Sequence, residues 1–162
     1  IAEAEKPIII GGRGALHSGA RESLVALAEK SGALLATSLF GKGLFDGNPY
    51  AMDIAGAFAS DFARERFAES DLVIGVGAGL GHYTTEGGYL YPGAQVVQID
   101  TNPRGLWQGL RTADMYIRAH AGAAADRIAN RPEERAVSCS GIRVGHNAAR
   151  TGGDCRGWYS DP

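Results

Sequence analysis

Two short apolar runs within residues 71–100 restrict the fold of this chain more than any other feature. The runs at residues 72–76 and 94–99 are rich in β-branched side chains, the pattern of strands that are buried on both faces. Glycines stand at 75, 77, 79 and 81 around the end of the first run, and Asp100 ends the second. Because open parallel sheets bind ligands at the carboxyl ends of their strands, this stretch predicts a nucleotide-binding type of α/β domain.

Composition excludes several classes of protein. A chain of 162 residues with 44% hydrophobic and 21% charged residues fits one globular domain, and a net charge of −2 argues against nucleic-acid binding. No apolar run approaches the roughly 20 residues that span a bilayer, and the start IAEAEKP has no signal-peptide pattern, so we expect a cytoplasmic protein without membrane contact. Cys139 and Cys155 are interpreted as ordinary thiols. The early first strand after Ile1 suggests a piece excised from a longer protein.

Strands and helices are predicted to alternate along the first 130 residues. Predicted strands cover residues 7–10, 33–36, 72–76, 94–99 and 115–118. The first predicted helix is capped by Ser18 and runs from near Gly19 to Ser31, and the second begins at Ser60 or Asp61 and ends before Asp71. A short helix is predicted after Pro103, and a closing helix over residues 121–129. The glycine-spaced loop at residues 40–50 is long enough to be functional or to contact a neighbour. This alternation predicts right-handed crossovers and a three-layer α/β/α sandwich around a parallel sheet.

The last part of the chain has a different character. Residues 132–162 contain charged, glycine and small polar residues without a sustained period of 2 or 3.6. We therefore predict one domain over residues 1–130 and a linker or poorly ordered tail over residues 131–162.

The first strand-to-helix turn is a candidate phosphate site. Gly11 and Gly12 permit a tight turn there, and Arg13 is a cation suited to a phosphate. No stretch completes the dinucleotide fingerprint GxGxxG. The glycines are equally explained by tight packing between strand and helix.

The turn after residue 76 offers a second candidate. Because glycines have no side chains, the backbone N–H groups at Gly77, Gly79 and Leu80 can approach a phosphate closely. Asp100 stands where doubly wound folds place a carboxylate that binds ribose hydroxyls, although it is equally suited to cap the turn at Asn102.

Motifs for independent catalysis or metal binding were not found in the sequence. The histidines at 17, 82, 120 and 146 are scattered, without the spacing of a metal site. A nucleophile elbow, a Walker loop and a CxxC pair are absent from the sequence as well. We therefore predict no catalytic residue and no metal ligand in this chain.

Four motifs follow one another along the chain and read KPIIIGGRGA, LAEKSGALLATSLFGKGLFDGNPY, AESDLVIGVGAGLGHYTTEGG and YPGAQVVQIDTNP. In this order they resemble the central domain of thiamine-diphosphate-dependent enzymes, most closely the acetolactate synthase and benzoylformate decarboxylase group, and the resemblance covers about residues 6–129. The resemblance implies a six-stranded Rossmann-like sheet of the NAD/FAD-binding type. It also implies two partner domains in the same polypeptide, one binding the cofactor's pyrimidine and one its pyrophosphate, and a homo-oligomer at full length.

The resemblance implies chemistry that this chain does not perform by itself. In such enzymes the ylid of thiamine diphosphate attacks a 2-oxo acid, which then loses carbon dioxide. The activating glutamate and the GDG…NN motif that holds Mg²⁺ and diphosphate belong to the other domains, and the nearest string here is GDC at residues 153–155. We therefore expect a mainly architectural domain, with catalysis in the full-length enzyme.

Some relatives bind FAD or ADP in the central domain, and the resemblance places Gly11, Gly12, Arg13, Thr37, Ser38 and Asp100 at the matching positions. Two departures argue against a bound nucleotide. Gly79 stands where binding relatives carry arginine, and the pair Ala119 and His120 stands where they carry Gly-Asp. Charge-assisted contacts of this kind are each worth roughly 1.5–3 kcal/mol. The alternative function is a module that binds FAD, ADP or NAD in a regulatory or redox role, with the topology of sirtuins or electron-transfer flavoproteins.

Overall fold

A computed structural model describes residues 1, 3–103, 105–107 and 110–131. The strands are β1 (Pro7–Gly11), β2 (Leu34–Thr37), β3 (Ala51–Ile54), β4 (Leu72–Val76), β5 (Gln95–Asp100), β6 (Leu106–Trp107), β7 (Leu110–Arg111) and β8 (Met115–Arg118). The helices are α1 (Arg13–His17), α2 (Arg21–Ser31), α3 (Asp61–Glu69), α4 (His82–Thr85) and α5 (Ala121–Ala129), with 3₁₀ turns at Leu39–Gly41, Gly56–Phe58 and Glu86–Gly88. The tail predicted for residues 131–162 lies, from residue 132 onward, outside the described residues.

Six strands form one parallel sheet in the order β3-β2-β1-β4-β5-β8. The chain order reverses between β1 and β4, which is the switch point where doubly wound sheets form a crevice. Helices cover both faces, so the predicted three-layer Rossmann-like fold is confirmed.

Alternate residues of β1 separate two hydrophobic cores. Ile8 and Ile10 face a core that includes Phe67 of α3, whereas Ile9 faces a core that includes Leu24 of α2 and residues of α5. All three isoleucines are fully buried. Burial on both faces explains why this strand carries no polar alternation.

Helix ends follow local chemistry, with one correction to the sequence analysis. Ser60 caps α3 as predicted, accepting a hydrogen bond from the Ala63 N–H at 3.2 Å. Gly32 ends α2 in the left-handed conformation with a φ of +77°. The prediction that Ser18 caps the next helix was wrong. Its hydroxyl donates to the Ala15 carbonyl at the end of α1, a helix that the sequence analysis treated as a turn.

Two further elements differ from the sequence predictions. The sixth strand, β3, was not identified from the sequence, because the charged Asp53 interrupts its short apolar run. In the structure Asp53 adopts a φ of +67°. The short helix predicted after Pro103 is replaced by a turn and the antiparallel pair β6 and β7. The Asp100 carboxylate accepts from the Asn102 N–H at 3.0 Å and so stabilises that turn.

Candidate functional site

The nine predicted binding residues all lie at the carboxyl edge of the sheet. They follow or end four strands: Gly11, Gly12 and Arg13 at β1, Thr37 and Ser38 at β2, Gly77, Gly79 and Leu80 at β4, and Asp100 at β5. The strands β1 and β4 are neighbours with parallel register, so their turns meet directly at the switch point. The topology therefore brings the residues to one edge, and their individual contacts decide what the edge can bind.

The glycine turns after β1 and β4 pack against each other. The Gly12 N–H donates to the Val76 carbonyl at 2.9 Å, and the Gly14 N–H donates to the Gly77 carbonyl at 2.9 Å. A side chain on Gly12 would overlap the Gly77 carbonyl oxygen. Tight backbone packing thus accounts for these glycines, and the two N–H groups are already engaged within the protein.

Arg13 is the cation of the predicted set. Its side chain is exposed, and its guanidinium lies 5.8 Å from the centre of the Phe40 ring, within the range of a cation–π contact. Among the described residues Arg13 forms no ion pair. Its charge is therefore available to a partner outside the described residues.

Gly79 and Leu80 have different environments in the β4 turn. A Cβ on Gly79 would meet no atom within 4 Å, so the position is open. Leu80 is 1% exposed with a φ of +45° and packs over Gly75, where a Cβ would lie 2.9 Å from the leucine Cδ2. Leu80 therefore anchors the turn in the core, while an arginine at position 79 would have room to extend.

Sequence analysis missed Gln98, which fixes the same turn. Gln98 is fully buried in β5, and its Nε2 donates to the Ala78 carbonyl at 3.0 Å. A polar side chain within an otherwise apolar strand was the signal, because buried amides require hydrogen-bond partners. The β4 turn is thus fixed from beneath by the neighbouring strand.

The other predicted residues also have internal contacts, through a side chain or through the backbone. Thr37 is buried and donates to the Asp53 carbonyl at 3.3 Å, while the Ser38 N–H donates to the Gly11 carbonyl at 3.0 Å. Asp100 takes the turn-capping role described above, and its contact with a ribose stays a prediction. His120 lies two residues after the end of β8, at the N-cap of α5, without a capping hydrogen bond from its side chain.

A separate cavity of about 160 Å³ lies beside the starts of β5 and β8, away from the carboxyl edge. Its lining includes Thr85, Tyr91, Val96, Thr112 and Asp114. The Tyr91 hydroxyl is buried without a hydrogen-bond partner among the described residues, and burial raises the pKa of Tyr91 well above its usual 10.0. The hydroxyl therefore stays protonated across the physiological range.

Metal-binding clusters and membrane-spanning helices are both absent from the described part of the chain. No group of three or more His, Cys, Asp or Glu side chains within it is placed to hold a metal ion. None of its helices has the length and apolar character needed to cross a bilayer.

Several known enzymes are similar to this chain over part of their length. The probable acetolactate synthase large subunit of Methanocaldococcus jannaschii is 34% identical over 119 residues, covering 72% of this chain and 20% of the relative. The acetolactate synthase large subunit of Parasynechococcus marenigrum is 32% identical over 132 residues, covering 79% and 21%. A probable 2-ketoarginine decarboxylase of Pseudomonas aeruginosa is 37% identical over 105 residues, covering 64% and 18%.

The chain therefore spans about a fifth of the length of these relatives. A profile of the family described as "Thiamine pyrophosphate enzyme, central domain" matches residues 1–128. The resemblance identified from the four sequence motifs is confirmed. This chain belongs to the family of thiamine pyrophosphate enzyme central domains.

Proposed function

We propose that this chain is the central, mainly architectural domain of an enzyme that uses thiamine diphosphate and Mg²⁺ to act on 2-oxo acids. The enzyme is a carboligase or decarboxylase of the acetolactate synthase type. The observation that carries this proposal is the family match over residues 1–128, together with relatives named as acetolactate synthases and a 2-ketoarginine decarboxylase.

The catalytic groups belong to other domains of the same polypeptide. Thiamine diphosphate is held through a metal ion, and the described residues offer no metal-binding group. The described residues therefore do not fit the cofactor. The pyrimidine-binding and pyrophosphate-binding domains bind the cofactor and supply the catalytic groups. The full-length protein is a cytoplasmic homo-oligomer, and residues 1–130 form its central domain.

An architectural role agrees with the contacts at the carboxyl edge. The N–H groups of Gly12 and Gly14 donate to backbone carbonyls, and Asp100 caps a turn. Of the predicted cationic partners for a phosphate, only Arg13 is present, because position 79 is glycine. These contacts favour a nucleotide site that is vacant or weak.

A second candidate function is a module that binds FAD, ADP or NAD. It is favoured by the position of all nine predicted residues at the carboxyl edge, which includes the switch point where such folds bind dinucleotides. This alternative requires measurable affinity for one of these ligands, and calorimetric titration distinguishes it from the architectural role.

The proposed function is tested by the activity of the full-length protein. With pyruvate as the probe substrate, we expect carbon dioxide release that requires both thiamine diphosphate and Mg²⁺. The 162-residue chain alone should release none under the same conditions. Activity without thiamine diphosphate, or full activity in the 162-residue chain, would contradict the proposal.

A further inference from the structure

The strand β8 ends the sheet, and one of its long sides has no neighbouring strand among the described residues. Tyr116 packs against the core that includes Phe67, so Met115 and Ile117 project from the opposite face of the sheet. They are 56% and 38% exposed, because α5 packs against α2 and β5 and leaves this face of β8 uncovered. An edge strand with exposed apolar side chains is a template for pairing with another chain.

The hydrogen bonds between β5 and β8 determine which backbone groups face outward. The Ala119 N–H donates to the Asp100 carbonyl at 3.0 Å, and the parallel register is continuous along β8. Backbone groups point alternately to the two sides of a strand, so Ile117, two residues earlier, also faces β5. The N–H and C=O groups of Tyr116 and Arg118 therefore point away from β5. We call this side of β8 the outer edge.

The two ends of the outer edge carry opposite charges. Asp114 directly precedes β8, Arg118 ends it, and both residues are exposed. Arg118 forms no ion pair within the described residues, and its Nε donates to the Thr101 carbonyl at 3.1 Å. The Asp114 Oδ2 accepts from the Val96 N–H at 2.9 Å, and a carboxylate accepts several hydrogen bonds at once. A strand with a carboxylate at one end and a guanidinium at the other complements an antiparallel copy of itself.

We propose that the outer edge pairs in antiparallel orientation with the outer edge of a second copy of this chain, which joins two six-stranded sheets. This goes beyond the proposed function, which leaves the interface of the homo-oligomer unspecified. Tyr116 of each copy lies on the two-fold axis, and its N–H donates to the Tyr116 carbonyl of the other copy. Asp114 then lies opposite Arg118 of the other copy, and Met115 lies opposite Ile117, twice over by symmetry.

The charges select this register over its neighbours. Paired residues must both present outward backbone groups, so the nearest alternatives are slips of two residues. One slip places Arg118 opposite Tyr116 and the other places Asp114 there, and either slip separates both Asp–Arg pairs. A four-residue strand buries less than the roughly 1,600 Å² of a standard interface, so the association is weak and depends on concentration.

Sedimentation velocity of the 162-residue chain over a range of concentrations tests the pairing. We expect a reversible dimer that Arg118→Asp weakens about tenfold, because two carboxylates then lie opposite each other twice. Arg127→Asp on the exposed face of α5 makes the same charge change and should have no effect. A wild-type monomer at every concentration, or equal effects of the two substitutions, would overturn the proposal.

Exchanging the two charges provides a stricter test. The double substitution Asp114→Arg with Arg118→Asp reverses both ion pairs and should restore the dimer that Arg118→Asp alone weakens. Circular dichroism establishes that the exchanged variant is folded, because Asp114→Arg also removes the acceptor of the Val96 N–H. A folded variant that stays monomeric would overturn the assigned charge pairs.

Cysteine cross-linking tests the register without relying on charge. In a background with Cys139→Ser and Cys155→Ser, chains with Met115→Cys are mixed with chains with Ile117→Cys. These positions face each other with Cα atoms about 4.5 Å apart, so oxidation should link the mixed pair. Each variant alone should not cross-link, since like positions lie about 8 Å apart. Equal cross-linking in all three samples, or none in the mixture, would overturn the proposal. These measurements require no enzymatic activity, so they do not depend on the proposed function.

Discussion

At the scale of single residues, the space around each glycine determines which side chains the carboxyl edge can accommodate. Gly77 has a φ of +56°, and a Cβ there would overlap the Ala15 backbone nitrogen. Gly79, two residues later, has nothing within 4 Å of its Cβ position. The glycine pattern was visible in the sequence, but its division into packed and open positions depends on contacts between segments about 65 residues apart.

Gly77→Ala should therefore destabilise the protein strongly. Backbone strain at positive φ and the overlap with Ala15 together should lower the free energy of unfolding by about 2 kcal/mol or more. Gly79→Ala is the matched control and should change it by less than about 0.5 kcal/mol. Urea denaturation followed by circular dichroism measures both. Equal effects of the two substitutions would refute the packing described for Gly77.

Gly79→Arg should restore part of a phosphate site. The open position accommodates the side chain, and a charge-assisted hydrogen bond to phosphate should tighten ADP binding about tenfold or more. Gly79→Gln, which is long but uncharged, should give little gain. Calorimetric titration of both variants with ADP provides the comparison, and equal affinities would show that a missing cation is not the limiting factor.

Tyr91→Phe should raise stability by about 1 kcal/mol, because it removes a buried hydroxyl that has no hydrogen-bond partner in the described part of the chain. Tyr89→Phe is the control on an exposed ring and should be neutral.

Since burial raises the pKa of Tyr91, the folded state keeps a proton that the unfolded chain releases above pH 10. The wild-type protein should thus lose stability above pH 10 more steeply than Tyr91→Phe. Urea unfolding between pH 8 and pH 11 tests both expectations, and a less stable Tyr91→Phe would contradict them.

At the scale of elements, burial on both faces decided which strands could be predicted. β1 and β4 carry uninterrupted apolar runs because helices cover them on both sides, and β5 has an apolar run that Gln98 interrupts. β3 lies at the sheet margin, where Asp53 is exposed with a positive φ, and so it lacks that pattern. The segment after Pro103 was mistaken for a helix because local turn chemistry at Asp100 and the pairing of β6 with β7 are not visible as periodicity.

Helix capping gives a test at this scale. Ser60→Ala removes the hydrogen bond to the Ala63 N–H and should cost about 1 kcal/mol of stability. Ser18→Ala, whose hydroxyl donates to a carbonyl at the end of α1, should cost distinctly less because no N-cap is lost. Thermal and urea denaturation of both variants measure the difference. A larger effect at Ser18 would restore the capping role first predicted for it.

At the scale of the whole molecule, fold and family could be predicted from the sequence, whereas the state of the site could not. The order of four motifs predicted the family that the comparison identifies. The nine predicted residues lie at the carboxyl edge because parallel strands bring their carboxyl ends together, and their role in binding stays a prediction. Whether Arg13 and Asp100 are free for a ligand depends on Phe40 and Asn102, and such pairings form only in the folded protein.

The most direct test of an architectural role is calorimetric titration of the 162-residue chain with ADP and with FAD. The engaged N–H groups of Gly12 and Gly14 and the glycine at position 79 predict binding no tighter than millimolar for either ligand. Sub-micromolar affinity for ADP or FAD would contradict this and would establish the carboxyl edge as a working nucleotide site.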